Sequence, residues 1–195
     1  MASKENRQIS DLGTLKALAH PLRMKLYRLL LLAGKATASQ LAGQVDEAVS
    51  LVSYHLRKLG EHGLIEEAEP SSGDARERWW QPASDGVSIR STDFKDAPEK
   101  VAAHVAASRL FQEQRTEMYR TYLDERAHYG ADWNAAVVDS ESLLRLTAGE
   151  LTELKQELLD VLRKYDDQGR AREAAGETEG REHIALHMYG FPFRL

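Results

Sequence analysis

The sequence predicts a mainly α protein with a small β component, and three observations carry that prediction. Apolar residues recur at helical spacing through much of residues 9–62, and again over 98–129 and 151–162. A turn-rich loop, Pro70-Ser71-Ser72-Gly73-Asp74, separates two short strand-like runs, as in a hairpin. Boxes of Thr-x-x-Gln at Thr37 and Thr-x-x-Glu at Thr147 mark two helix starts inside the chain.

Leu12, Leu15, Leu18 and Ala19 place a first short helix between Ile9 and Ala19. His20-Pro21 breaks it, because the residue before a proline avoids the helical region. Pro21 suits the first turn of a second helix, with Leu22, Leu26, Leu29, Leu30 and Leu32 inward and Gly34 at its end. The box Thr37-Ala38-Ser39-Gln40 opens a third helix to Gln44, which packs through Leu41 and Ala42. Val45-Asp46-Glu47 makes a turn, and a fourth helix begins near Ala48. There Val52, Leu56 and Leu59 form one stripe, while Ser50, Ser53, Tyr54, Arg57 and Lys58 occupy the other side. Gly63 stops it as a residue tolerant of positive φ.

Leu64–Glu69 reads as a strand and Arg76–Gln81 as its return. Arg76, Arg78 and Trp80 share one face and Glu77, Trp79 and Gln81 the other, with one tryptophan packed on the helices. Two helices joined by so short a turn, the second amphipathic with a polar outer face, form a helix-turn-helix, and the hairpin is its wing.

Residues 84–97 lack a helical period and read as a linker. Asp96 as cap and Pro98 just inside start a long helix to Tyr129, striped by Val101, Val105, Phe111, Met118 and Tyr122. Ala135-Ala136-Val137-Val138 reads as a strand, which 140–146 either extends or leaves as a helical turn. The second box, Thr147-Ala148-Gly149-Glu150, opens a helix to Tyr165 on Leu151, Leu154, Leu158, Val161 and Leu162. Asp166–Gly180 reads as a mobile loop. Ile184, Leu186 and Met188 alternate as in a strand, so 183–189 is expected to pair with 135–144. The predicted class is therefore mainly α with small β. An N-terminal winged helix-turn-helix spans 10–83, and a C-terminal helical region with a small antiparallel sheet spans 98–195.

Leu18-Ala19-His20-Pro21-Leu22-Arg23, Ser53-Tyr54-His55-Leu56-Arg57-Lys58-Leu59 and Gly63-Leu64-Ile65 stand in the order and spacing of a known family. In these motifs the chain resembles the ArsR-type winged helix-turn-helix regulators, over residues 10–83 and so under half its length. The resemblance implies a homodimeric transcription regulator, commonly a repressor that an effector releases from DNA. It also implies a dimer interface on the long helix after the wing.

The formal net charge of −5 is unevenly spread. Met1–Pro82 holds eleven cations against ten carboxylates, and the remainder fifteen against twenty-one. The N-terminal part is thus near neutral, and duplex DNA is suggested by pattern, not by bulk charge. Ser50 and Tyr54 come early enough on the fourth helix to reach base edges. Ser53, Arg57 and Lys58, with Arg76 and Arg78 of the wing, suit phosphates. His55 is assigned a structural role beside Leu56. Asp46 and Glu47 would repel phosphate and must point away from the backbone.

The chain has no cysteine, which excludes disulfides and thiolate metal sites. His104 and His128 are 24 residues apart, about 36 Å of helix, and His183 and His187 would be about 13 Å apart on a strand, so no metal site is assigned. No nucleophile elbow or phosphate-binding glycine loop is present, and neither an enzyme nor a cofactor is expected. Trp133, Tyr122, Tyr129, Tyr189 and Phe191 fit either an apolar cleft for a small organic effector or an aromatic core or dimer seam. Polar residues Met1–Gln8 and the short cluster Leu29–Ala33 give no signal peptide and no span, so a cytoplasmic protein without membrane contact is expected. The competing function is a winged-helix protein-interaction module without DNA binding.

Overall fold

The computed structural model describes residues 6–70 and 77–194. They fall into two units, Met1–Glu125 and Arg126–Leu195.

The first unit opens with β1 (Arg7–Ile9), α1 (Leu12–Leu18) and α2 (Pro21–Ala33). The Asp11 carboxylate caps α1, accepting from the Thr14 amide at 2.7 Å, and Pro21 stands in the first turn of α2. β2 (Ala36–Thr37), α3 (Ala38–Val45) and α4 (Val49–Glu61) follow. At α3 the capping box closes both ways. The Gln40 amide donates to the Thr37 hydroxyl at 3.3 Å, and the Thr37 amide donates to the Gln40 side chain at 2.9 Å. Asp46 ends α3 in the left-handed region at φ 55°, and α4 then lies against both α2 and α3.

β3 (Ile65–Ala68) and β4 (Trp79–Pro82) pair antiparallel, with Glu66 opposite Gln81 and Glu67 opposite Trp80. β2 joins the other edge of β4, giving the order β2-β4-β3. The core is the meeting of the helical stripes. Leu15, Leu18, Leu26, Leu30, Leu41, Val52, Leu56 and Leu59 are wholly buried in one cluster, with Trp80 beside them.

The stretch 84–97 is not a linker but part of this unit. β5 (Val87–Ile89) runs parallel to β1, with Arg7 opposite Val87 and Ile9 opposite Ile89. A 3-10 turn, Ser91–Phe94, then buries Phe94 completely. Ile9, Val87, Ile89 and Phe94 are the apolar residues that draw this stretch onto the core. α5 (Pro98–Glu125) packs on α1, burying Ala107 and Phe111. Of the expected stripe only Phe111 is buried, while Val101, Val105 and Met118 remain exposed.

The second unit begins with a 3-10 turn, Arg126–His128, then α6 (Ala131–Ala136) and α7 (Ala148–Ala174). The expected C-terminal sheet does not form, and no strand occurs among the described residues of this unit. Ala135 and Ala136 instead end α6, which the Asn134 amide anchors by donating to the carbonyls of Tyr129 at 2.8 Å and Gly130 at 3.1 Å. The tail runs antiparallel along α7. A Cβ on Gly169 would lie 3.7 Å from the Arg181 guanidinium, and one on Gly190 would lie 3.2 Å from Leu151. α7 starts on its capping box, the Glu150 carboxylate accepting from the Thr147 amide at 2.7 Å. It continues to Ala174 through the stretch expected to be a loop. Ala, Arg and Glu are strong helix formers even without an apolar face, and Arg170–Asp166 adds an i,i+4 pair at 2.9 Å. Among the described residues of both units, no helix is long and apolar enough to cross a membrane.

Candidate nucleic-acid interface

α4 is amphipathic in the way its sequence requires. Val52, Leu56 and Leu59 root it in the core, while Ser50, Tyr54 and Arg57 stand exposed and Ser53 and Lys58 are half-buried. Tyr54 is 47% exposed, with its ring edge-on to His55 at 5.2 Å and the Lys58 ammonium over it at 6.0 Å. Lys58 also holds Glu61 at 2.7 Å. That bond raises the Lys58 pKa and lowers that of Glu61, so both stay charged. Ala48 caps α4 without a side-chain bond. Val49 and Leu51, exposed beside that end, were not singled out by the sequence reading, because its apolar stripe runs on the opposite side.

Beneath this face His55 is 5% exposed, which fits the structural role expected of it. Its ring meets that of His20, the N-cap of α2, at 4.5 Å. Burial, followed by the charge of Arg23, lowers the His20 pKa. Burial, then His20 and Arg23, lowers that of His55 against an opposing pull from Glu47. Arg23 itself is tied down, donating to the carbonyls of Ala17 and Lys16.

On the wing, Trp80 is the tryptophan that packs on the helices. It lies so near Gly60 that a Cβ there would meet its ring at 3.0 Å. Trp79 faces the other way, beneath the Lys35 ammonium at 5.9 Å. Arg78 pairs with Glu67 at 3.3 Å and stacks over Trp80 at 5.6 Å, just before the first residue of β4 at the loop end of the paired strands. Arg76 lies outside the described residues. The structure brings Arg57 and Arg78 to one open cleft of about 570 Å³ between α4 and the wing, shared with Glu61, Glu67 and Trp80.

A further residue steadies this surface. The Arg7 guanidinium donates to the carbonyls of His62, at 2.8 Å, and of Gly63, just past the end of α4. Gly63 has φ +62°, and a Cβ there would lie 2.9 Å from Arg7. In the sequence Arg7 sits in a polar leader with no periodicity, so only the positive-φ glycine marked the spot.

Residues 18–68 match the family described as a helix-turn-helix domain. Several solved structures are similar. One is described as a possible transcriptional regulator for arsenical resistance, 26% identical over 57% of this chain and 95% of that one, with a TM-score of 0.32. Another is a transcriptional regulator homologue from Pyrococcus horikoshii OT3, 18% identical over 54% and 88%, with a TM-score of 0.31. A third is a mutant of MarR from E. coli, 15% identical over 78% and 88%, with a TM-score of 0.33. No curated protein matches the chain. The N-terminal unit thus carries a helix-turn-helix domain with a small antiparallel wing, the kind of module that presents one helix to a duplex groove.

Proposed function

We propose that the protein is a DNA-binding transcriptional regulator of the ArsR type, a homodimeric repressor that grips a palindromic operator. Contact runs through the 48–62 helix and the 64–81 wing. The observation that carries this reading is α4 itself, whose buried stripe of Val52, Leu56 and Leu59 fixes its rotation so that Ser50, Tyr54 and Arg57 face outward.

In this reading Ser50 and Tyr54 read base edges, and Val49 and Leu51 offer apolar contact to thymine methyls. Ser53, Arg57 and Lys58 hold phosphates, with Arg76 and Arg78 adding charge from the wing. Two copies related by a two-fold would place their α4 helices in successive major grooves about 34 Å apart. We assign DNA binding to residues 10–83 and dimerisation to the region from Pro98 onward, where Val101, Val105, Met118, Tyr119 and Leu123 leave apolar surface on α5 for a partner. A small organic effector would act through the same region. Of the five aromatics that suggested it, Tyr129, Tyr189 and Phe191 are exposed and Tyr122 and Trp133 half-buried. The reading involves no catalytic step.

A gel shift with genomic fragments at graded salt tests it. Binding that selects one fragment and weakens steeply as salt rises supports the reading. A protein that shifts no fragment at low salt refutes it and leaves the protein-interaction module.

A further inference from the structure

We propose that Glu61 and Glu67 act as counter-anions built into the DNA face, each holding a cation that a duplex phosphate must take over, and so limit how tightly the chain grips any duplex. This rests on the DNA-binding reading above and adds to it two residues of opposite charge.

Two of the cations assigned to phosphates are not presented bare. The Lys58 ammonium meets the Glu61 carboxylate at 2.7 Å, and the Arg78 guanidinium meets that of Glu67 at 3.3 Å. In each pair the carboxylate is the more exposed partner, 55% against 38% and 63% against 55%. The Lys58 bond, with the charges of His62 and Arg57 adding to it, holds the Glu61 carboxyl below its ordinary value, so it stays ionised. Arg57, Glu61, Glu67 and Arg78 line one cleft between α4 and the wing, and Glu66 shares it. Two guanidinium groups there face three carboxylates, a balance that does not favour phosphate.

Helix stability does not call for a carboxylate at Glu61. It is the last residue of α4, where the negative end of the helix dipole disfavours an anion. Glu67 has a local use, since it lies opposite Trp80 in the ladder and reaches Arg78 across the hairpin. Both carboxylates become a cost when a duplex arrives. Phosphate contacts supply the sequence-independent part of binding. Each such contact at Lys58 or Arg78 exchanges one ion pair for another and leaves the displaced carboxylate tethered beside the phosphate. An exposed pair of this kind is worth about threefold, so the two together are worth about tenfold on each half-site. Base contacts by Ser50 and Tyr54 involve neither carboxylate. Preference among sequences is therefore kept while affinity for every duplex is held down.

Full-length Glu61→Gln, Glu67→Gln and the double variant are titrated against a labelled random-sequence duplex of about 30 base pairs, long enough for two successive major grooves. Glu179→Gln/Glu182→Gln, the same change of charge at exposed positions of the tail, is the control. At about 50 mM salt the double variant should bind at least about tenfold more tightly than the native chain, and each single variant at least about threefold. Screening should shrink the gain of the double variant to about threefold at about 200 mM, which makes its log–log salt slope steeper by about one. The control should gain less than about twofold. Thermal midpoints are recorded alongside, because loss of a purely structural pair lowers the midpoint without tightening DNA. If Glu67→Gln does not fold, Glu61→Gln alone decides. An equal gain in the control would assign the effect to net charge and overturn the proposal, as would unchanged affinity in a folded Glu61→Gln. Either result leaves the DNA-binding reading standing, whereas a protein that binds no duplex in any of these forms overturns both.

Discussion

The imidazoles of His20 and His55 face each other at 4.5 Å, joining the N-cap of α2 to the buried side of α4. Tyr54, the most outward aromatic of α4, leans edge-on against that same His55. α4, the helix proposed to meet DNA, is therefore seated on a titratable pair.

Because burial lowers both histidine pKa values, the folded state holds the pair neutral near neutral pH. The sign follows directly. The unfolded chain takes up protons near the ordinary value of about 6.5, whereas the folded pair resists until lower pH. Stability is therefore complete above that value and falls as pH drops through the lowered folded values. Two cations would then face each other beside Arg23, with Glu47 an opposing charge on the His55 side. The thermal midpoint should decline between pH 7 and pH 5, and less so in His55→Phe. An identical decline in that variant would place the effect elsewhere.

Ser50→Ala and Tyr54→Phe should change which duplex is preferred more than how tightly duplexes are held on average. A lost base contact is worth about 1–3 kcal/mol at one position of the site. Selection from a randomised duplex pool reads this, and a consensus unchanged in both variants would remove them from base readout.

Trp80 couples the wing to α4 from a nearly closed position beside Gly60. Trp80→Ala should cost about 3–5 kcal/mol in denaturant unfolding. A loss under about 1 kcal/mol would show that the wing folds independently of the helices.

Gly63→Ala should cost about 1 kcal/mol or more, because φ +62° is strained for any Cβ and Arg7 stands in its way. Arg7→Ala should leave part of that penalty in place, since it relieves the contact but not the backbone. A fully rescued double variant would assign the whole cost to the contact.

What the sequence made legible was local. The stripe of α4, the capping boxes at Thr37 and Thr147 and the glycine at 63 all act within a few residues, and each has a physical pattern visible in one dimension. β1 and β5 were not legible, because each is three residues long and its partner lies 80 residues away. Phe94 is a single aromatic in a stretch without period, and its complete burial, with the pairing of β5 to β1, shows that 84–97 belongs to the first unit. In the second unit the alternation of Ile184, Leu186 and Met188 suggested a strand, yet the tail lies along α7. The last turns of α7 were missed for the opposite reason, since a helix of charged residues has no stripe to read. The pairing of Arg78 with Glu67 and its stacking on Trp80 depend on the partner strand and have no pattern within the returning strand itself.

The central claim is that the outer face of α4 holds duplex DNA, and salt dependence tests it most directly. Anisotropy of one labelled duplex is measured for the native chain and for Arg57→Ala/Lys58→Ala between about 50 and 200 mM salt. The variant is expected to bind that duplex more weakly, with a log–log salt slope shallower by about two. A slope and affinity equal to those of the native chain would contradict it.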